Sequence, residues 1–366
     1  MTKQYQVKKV ALIGNCLSGG GAEKVLSLLS FYFDKQGYEV HHCIFEDKVS
    51  YAFKGSLLNL GKISPNSNSI VRKFNRLVAF IRFVKQTDFD LVIDFRLKSN
   101  PIFEGVVSRI IYPKHAVFSV RSGLLNYYLP NSVIFANFIY KNNRFVVASK
   151  AIQEAIINKK IKINSTCIYN PIDFESVDRQ VNEFEVNIES YLLAVGRMEE
   201  VKQFDQLIIA YSKSELPSKK IKLVLLGDGK HQTKHHQLAV QLGIAGLVVF
   251  IGSVANPFPY YKAAYCTVLC SKNEGFPNVL LESLASTTPV ISFDCFSGPS
   301  EIIQNNQNGL LVENQNFEKL TQAMNQLFSD KELFNLCKSN AKSSVSQFSL
   351  DKIGDQWLDF LKNTVS

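Results

Sequence analysis

No apolar stretch in this chain of 366 residues approaches the ~20 residues needed to cross a bilayer, so a membrane-spanning helix is not expected. The N-terminus, MTKQYQVKKVALIG, runs from polar residues straight into a strand pattern, without the apolar core of a secretory signal. Cysteine is sparse: Cys16, Cys43, Cys167, Cys266, Cys270, Cys295 and Cys337 are odd in number and scattered through apolar segments. That usage argues against a disulfide framework and predicts reduced thiols in a cytoplasmic chain. Cys266 and Cys270, in the strand-like "YCTVLC", match a metal spacing only loosely. Also missing are short repeats, low-complexity tracts, zinc fingers, RNA-binding aromatic signatures and helix-turn-helix patterns. A nucleic-acid partner is therefore not expected.

Acid is scarce in one half only. Residues 1–170 hold 24 Lys and Arg against 10 Asp and Glu, a net +14, whereas residues 171–366 carry a net −5. A basic first half favours an anionic partner, such as a phospholipid surface or a phosphorylated substrate.

What is present is a regular alternation. Short β-branched runs at 8–14, 38–45, 90–95, 115–121, 144–149 and 166–170 are separated by stretches long enough for helices. The pattern repeats with runs at 191–196, 222–227, 247–252, 265–270, 289–293 and 309–312. Near-continuous apolar strands alternating with helices predict parallel sheets covered on both faces. At this length the expectation is an α/β chain of two doubly wound, Rossmann-like domains, 1–172 and 190–345. Residues 173–189 read as a polar linker, and 346–366 as a C-terminal helix packing back toward the first domain.

In such sheets ligands lie beyond the carboxyl ends of the strands, and the conspicuous residues fall there. "GNCLSGGGAE" follows the first strand, with Gly19, Gly20, Gly21 and Glu23 at a helix start. Gly20 and Gly21 stand where a nucleotide-triphosphate loop needs Lys and Ser or Thr, so that motif is excluded. The glycines suit a phosphate or a closely approaching sugar, or else only a tight turn. "GRMEEVKQF" sets Gly196 and Arg197 at a strand end with Lys202 five residues on, a pair suited to one anion or merely to solvent. Gly227, in "LGDGK", reads as architecture. "SKNEGFPNVLLE" places Glu274 in a loop and Glu282 in an apolar helix opened by Pro277, about 7.5 Å further along the axis. A buried carboxylate there needs a partner, either a neighbouring backbone or arginine, or ligand hydroxyls. His231, His235 and His236 have a spacing that mimics a metal site, but no carboxylate completes it.

Taken together, "GGGAE", "GR…K", "GDG" and "EGFPNVLLE" resemble the retaining GT-B glycosyltransferases, in particular family 4 of the bacterial envelope-sugar transferases. The resemblance spans essentially the whole chain and implies two Rossmann-like domains facing across a cleft. It implies that Glu274 faces donor-sugar hydroxyls and Glu282 the ribose, while Arg197 and Lys202 neutralise the diphosphate. Backbone amides from Gly275 and Phe276 through Asn278 and Val279 would add to that charge. It further implies transfer of a hexose or N-acetylhexosamine from a nucleotide sugar, UDP favoured over GDP, to a polyprenyl-diphosphate-linked or glycan acceptor. No cofactor and no metal is implied; "DFD" at 88–90 precedes a strand, the wrong end of the sheet. Many relatives carry a first-domain histidine near the transferred group; the corresponding loops here hold arginines, and Arg121 is the candidate. A nucleotide-sugar epimerase or a non-catalytic sugar-binding homologue on the same architecture remains the alternative.

One segment points to a surface. In "SIVRKFNRLVAFIRFVKQ" (69–86) Ile70, Phe74, Leu77, Val78, Ile81 and Val84 recur at helical spacing, widened by Phe80 and Phe83. Arg72, Lys73, Arg76, Arg82 and Lys85 carry five positive charges with no negative one. That is the pattern of an interfacial helix on the cytoplasmic membrane, or of a helix packed on a sheet with a solvated basic face.

Overall fold

A computed structural model describes residues 8–98 and 100–365, with side chains to Lys362. The polar lead-in 1–7, and Ser99 in the loop 94–101, lie outside the described residues. The chain divides into two compact units, Met1–Pro171 with Leu350–Ser366, and Ile172–Ser349.

The first unit is built on seven parallel strands: β1 (Lys9–Gly14), β2 (Glu39–Ile44), β3 (Ser56–Asn59), β4 (Leu91–Asp94), β5 (Val117–Val120), β6 (Arg144–Val147) and β7 (Asn164–Cys167). Their order is β3-β2-β1-β4-β5-β6-β7. Val10 to Ile13, Val92 and Val117 have no exposed surface, the outcome expected for strands covered on both faces. Helices α1 (Gly21–Lys35), α2 (Ser69–Gln86), α3 (Pro101–Val106), α4 (Val133–Tyr140) and α5 (Lys150–Asn158) connect the strands, and α3 continues as a π turn, Val107–Ile111. Asn68, Asn100, Ser132 and Ser149 cap α2 to α5 by accepting from first-turn amides.

The stripe read along α2 divides. Phe80 and Val84 are buried, and Phe83 packs on Phe89 at 5.0 Å, so this part of the helix covers the sheet. Only Ile70, Val71 and Phe74 remain exposed. Arg76 is also turned inward, its Nη2 donating to the Gly61 carbonyl at 2.7 Å, and Arg72 reaches the Pro65 carbonyl. Lys73, Arg82 and Lys85 stay exposed. Strand β3 was not anticipated, because "SLLN" is too short to show a period. The C-terminal helix, Leu350–Val365, packs on α1: Tyr32 donates to Asp355, and Lys35 pairs with Asp351 at 3.0 Å. Its Trp357 is fully buried beside Phe95.

The second unit carries six parallel strands, β8 (Tyr191–Val195), β9 (Lys222–Leu226), β10 (Val248–Gly252), β11 (Cys266–Leu269), β12 (Val290–Phe293) and β13 (Gly309–Val312). Their order is β10-β9-β8-β11-β12-β13. The supposed linker at 173–189 is partly structured. Asp173 caps a helix, Phe174–Gln180, that packs on the helices Phe258–Ala263 and Asn278–Ala285 and so joins this unit. The second unit therefore runs from 172 to 349 rather than from 190 to 345.

Both sheets reverse strand order once, between β1 and β4 and between β8 and β11. The connections leave the carboxyl ends of those strands in opposite directions, which opens a crevice at each switch point.

Candidate active site

In the second unit, the chain leaving β8 and the chain leaving β11 meet over the switch point. The amide of Lys272 donates to the Val201 carbonyl at 2.8 Å, which ties the two loops together. Lys202 Nζ then lies 2.6 Å from Glu274 Oε1, with the two side chains 18% and 14% exposed. The stem of Lys202 lies over Gly196. Behind it stands Gly227, at φ 132°, where a Cβ would collide with the Gly196 carbonyl. The Gly-Asp-Gly turn thus acts as the floor of the β8 loop, and Met198 N donates to the Asp228 carbonyl at 2.8 Å.

The turn Gly275-Phe276-Pro277 is buried and held from outside. Ser297 donates to the Gly275 carbonyl, Gly298 at φ 97° packs where any Cβ would strike Pro277, and Phe276 meets Phe348 edge-on at 5.3 Å. Pro277 occupies the cap position rather than the first helical one, and the helix Asn278–Ala285 starts without a side-chain cap. Asn278 and Val279 are half-buried on its first turn. Within it, Glu282 is 6% exposed and accepts from Tyr261 Oη at 2.9 Å. A phenol is thus one partner of this carboxylate. Burial of the thiol pushes Cys270, behind the Lys202 loop, up to about 12, so it stays a neutral thiol.

Arg197 and Lys202 do not share one partner. Arg197 is 66% exposed and bonds Glu199 at 3.2 Å, whereas Lys202 is bonded to Glu274. Lys202 is thus a preset cation, and Arg197 a solvent-facing arginine held at Glu199.

In the first unit, Gly20 caps α1 and Gly19 has φ 74°, so the glycine loop is a helix start as expected. Glu23 folds back so that its carboxylate lies against Gly20, and Gly21 opens the helix. Arg121 is part of the core. Its Nε donates to Ser119 and its Nη1 to the Ile168 carbonyl and Asn170, and it lies 5.5 Å from the Trp357 ring. Burial without a carboxylate lowers it to about 10. Its geometry is that of a buried brace between β5 and the 168–170 segment, in place of the sugar-facing group expected of it.

Sequence reading missed Tyr261, which touches the site from a segment 21 residues away with no local motif; Ser297 and Gly298 reach it from the loop after β12. It also missed a buried charge network beyond β4. Arg96 pairs with Asp94 at 2.9 Å and Glu104 at 3.1 Å, and Lys98 Nζ donates to the Arg96 carbonyl. Desolvation works against every charge there, but Arg96 keeps the Asp94 carboxyl below its usual range. Among the described residues no group of three or more His, Cys, Asp or Glu is placed to hold a metal. His236 stacks on Phe250 at 4.9 Å, and His235 packs against Phe204.

The two doubly wound units, with a preset ion pair over the switch point of the second, have the GT-B fold. The chain is a glycosyltransferase of that fold. Residues 178–344 match the family of glycosyl transferases group 1. Over 97% of its length the chain is 27% identical to all of a Campylobacter jejuni protein, the N-acetylgalactosamine-N,N'-diacetylbacillosaminyl-diphospho-undecaprenol 4-alpha-N-acetylgalactosaminyltransferase. A second C. jejuni protein, the GalNAc-alpha-(1->4)-GalNAc-alpha-(1->3)-diNAcBac-PP-undecaprenol alpha-1,4-N-acetyl-D-galactosaminyltransferase, is 26% identical over 96% of this chain and 98% of its own. Anabaena HepE in complex with UDP shares the fold with a TM-score of 0.75 at 18% identity, covering 98% of this chain and 100% of that one.

Proposed function

We propose that this chain transfers a hexose or N-acetylhexosamine from a nucleoside diphosphate sugar, UDP favoured over GDP, to a polyprenyl-diphosphate-linked or glycan acceptor. The reaction retains anomeric configuration and needs no metal. It takes place on the cytoplasmic face of a bacterial membrane during surface-glycan synthesis. The observation that carries the reading is the Lys202–Glu274 pair between the ends of β8 and β11.

Cleaving the bond to the nucleotide leaves negative charge on its β-phosphate. Lys202 supplies a cation already fixed in place, and Arg197 a fork free to reach the same anion. The start of the helix Asn278–Ala285 adds its partial positive charge. Glu274, an acceptor only, fits the hydroxyls of the sugar; Glu282, oriented by Tyr261, fits those of the ribose. Support for the acceptor comes from the two C. jejuni relatives, whose names specify undecaprenol-linked sugars, and for the donor from the UDP complex of HepE. Among the described residues no helix is long and apolar enough to cross a membrane.

The test is transfer from UDP- and GDP-sugars to a polyprenyl-diphosphate-linked acceptor in EDTA, with the product analysed by NMR. Transfer should persist, and the product should keep the donor's anomeric configuration. Strict dependence on Mg²⁺ or Mn²⁺ would end the metal-free reading, and an inverted anomer the retaining one. Interconversion of the donor without acceptor would point to an epimerase, and binding with no turnover to a sugar-binding homologue.

A further inference from the structure

Three helices of the first unit expose large apolar side chains in their first turns. On α3 and its π continuation, Ile102, Val106 and Ile110 recur every fourth residue, Ile102 being 75% exposed. On α4, Ile134, at 84% exposed, and Phe138 do the same; on α2 the exposed residues are Ile70, Val71 and Phe74. These helices link β3 to β4, β4 to β5 and β5 to β6, successive steps in one direction across the sheet. Right-handed crossovers therefore put all three on the same face. The π turn packs against both α2 and α4, and the Arg109 guanidinium lies 4.6 Å from the Phe138 ring centre, joining two of the stripes.

The charge around these stripes has one sign. Between Arg96 and Ile172 the sequence holds only two carboxylates, Glu104 and Glu154. Glu104 is buried in its pair with Arg96. Arg109, Lys114, Lys141, Lys159, Lys160 and Lys162 are all exposed. The Lys159–Lys162 run is fixed beside α4, because Asn137 accepts from the Lys162 amide at 2.6 Å. Single exposed apolar residues are ordinary on a protein surface, but aligned stripes rimmed by cations fit the acyl–headgroup boundary of an anionic leaflet.

We propose that α3 with its π turn, and α4, form the membrane-docking platform of this protein, with the exposed first turns of α2 at its border. Ile102, Ile110, Ile134 and Phe138 enter the leaflet, while Arg109 and the Lys159–Lys162 run hold its phosphates. This rests on the lipid-linked acceptor proposed above. It moves the docking element away from the α2 stripe, most of which faces the sheet.

The test is flotation of the whole chain with vesicles containing phosphatidylglycerol and with vesicles of phosphatidylcholine alone. The variants are I110E/F138E and K159E/K160E/K162E, each checked for an unchanged melting temperature. Wild type should float with the anionic vesicles only and be released by high salt. The apolar variant should lose about tenfold or more in partitioning, the factor for one large side chain kept in water. The lysine variant should lose its preference for phosphatidylglycerol. Transfer to a detergent-soluble acceptor should be unchanged in both. Flotation of either variant like wild type, or of wild type with neither vesicle, would overturn the platform. So would a wild-type dimer that I110E/F138E dissociates without affecting flotation, because a second copy would then be the occupant. Docking without transfer to any lipid-linked acceptor would sink the functional reading and leave the platform standing.

Discussion

Lys202 and Glu274, 72 residues apart in sequence, form an ion pair of 2.6 Å that spans the loops leaving two neighbouring strands. Each is the counter-charge that lets the other sit partly out of water. In the function proposed above, a donor entering the site would exchange this pairing for contacts with its diphosphate and sugar, and the pair would set the positions of both groups beforehand.

Removing either partner should therefore do more than delete one contact. Lys202→Ala is expected to lower turnover by about 10²-fold or more, the scale for a preset charge lost from a leaving group. Glu274→Ala should lower turnover more than nucleotide affinity, since it is assigned to the sugar. The double variant should fall short of the product of the single effects, because the two side chains touch. A double-mutant cycle on kcat/KM checks this; strict additivity would show that the pair does not act as a unit.

Glu282 and Tyr261 make a separate prediction. Glu282→Ala should weaken nucleotide binding and turnover together, as expected for a contact present before and during reaction. Tyr261→Phe leaves the buried carboxylate without this donor and should cost about 1–3 kcal/mol of stability. Calorimetric titration with UDP and GDP, alongside urea denaturation, separates the two effects. Wild-type affinity in Glu282→Ala would remove Glu282 from the nucleotide site.

At Gly227 both the positive φ and the lack of space forbid a side chain. Gly227→Ala should destabilise the second unit by about 1–3 kcal/mol or more, and it should disturb the β8 loop that carries Arg197 and Lys202. A shifted urea midpoint together with lowered turnover is the expected result. A neutral substitution would show that the floor of the loop yields.

His42 gives an acid-sensitive element far from the chemistry. Burial lowers it to about 4, outweighing the Lys54 carbonyl 3.1 Å from its Nε2, which favours the charged ring, so the folded protein holds it neutral. The unfolded chain takes up this proton near pH 6.5 and the folded one only near 4. The stabilisation is full above about 6.5 and is lost as pH falls toward 4, up to about 3 kcal/mol. Stability measured against pH should decline over that window, and His42→Gln should flatten the decline.

Much of this protein was legible in its sequence, and for a local reason. Apolar runs such as "KKVALIG" and "YLLAVG" alternate with helical stretches, and burial on both faces leaves a parallel sheet as their natural packing. Short motifs at strand ends, "GR…K" and "EGFPNVLLE", are equally local, because backbone geometry places strand-end loops over the sheet whatever surrounds them. Tertiary structure decided what depends on distant partners. It gave Lys202 to Glu274 and left Arg197 to solvent, took Arg121 into the core with Trp357, and supplied Tyr261 to Glu282. It also turned most of the α2 stripe toward the sheet and left α3 and α4 with exposed ones. A helical period reports that one face is apolar. Which neighbour, sheet or solvent meets that face is fixed only when the elements pack.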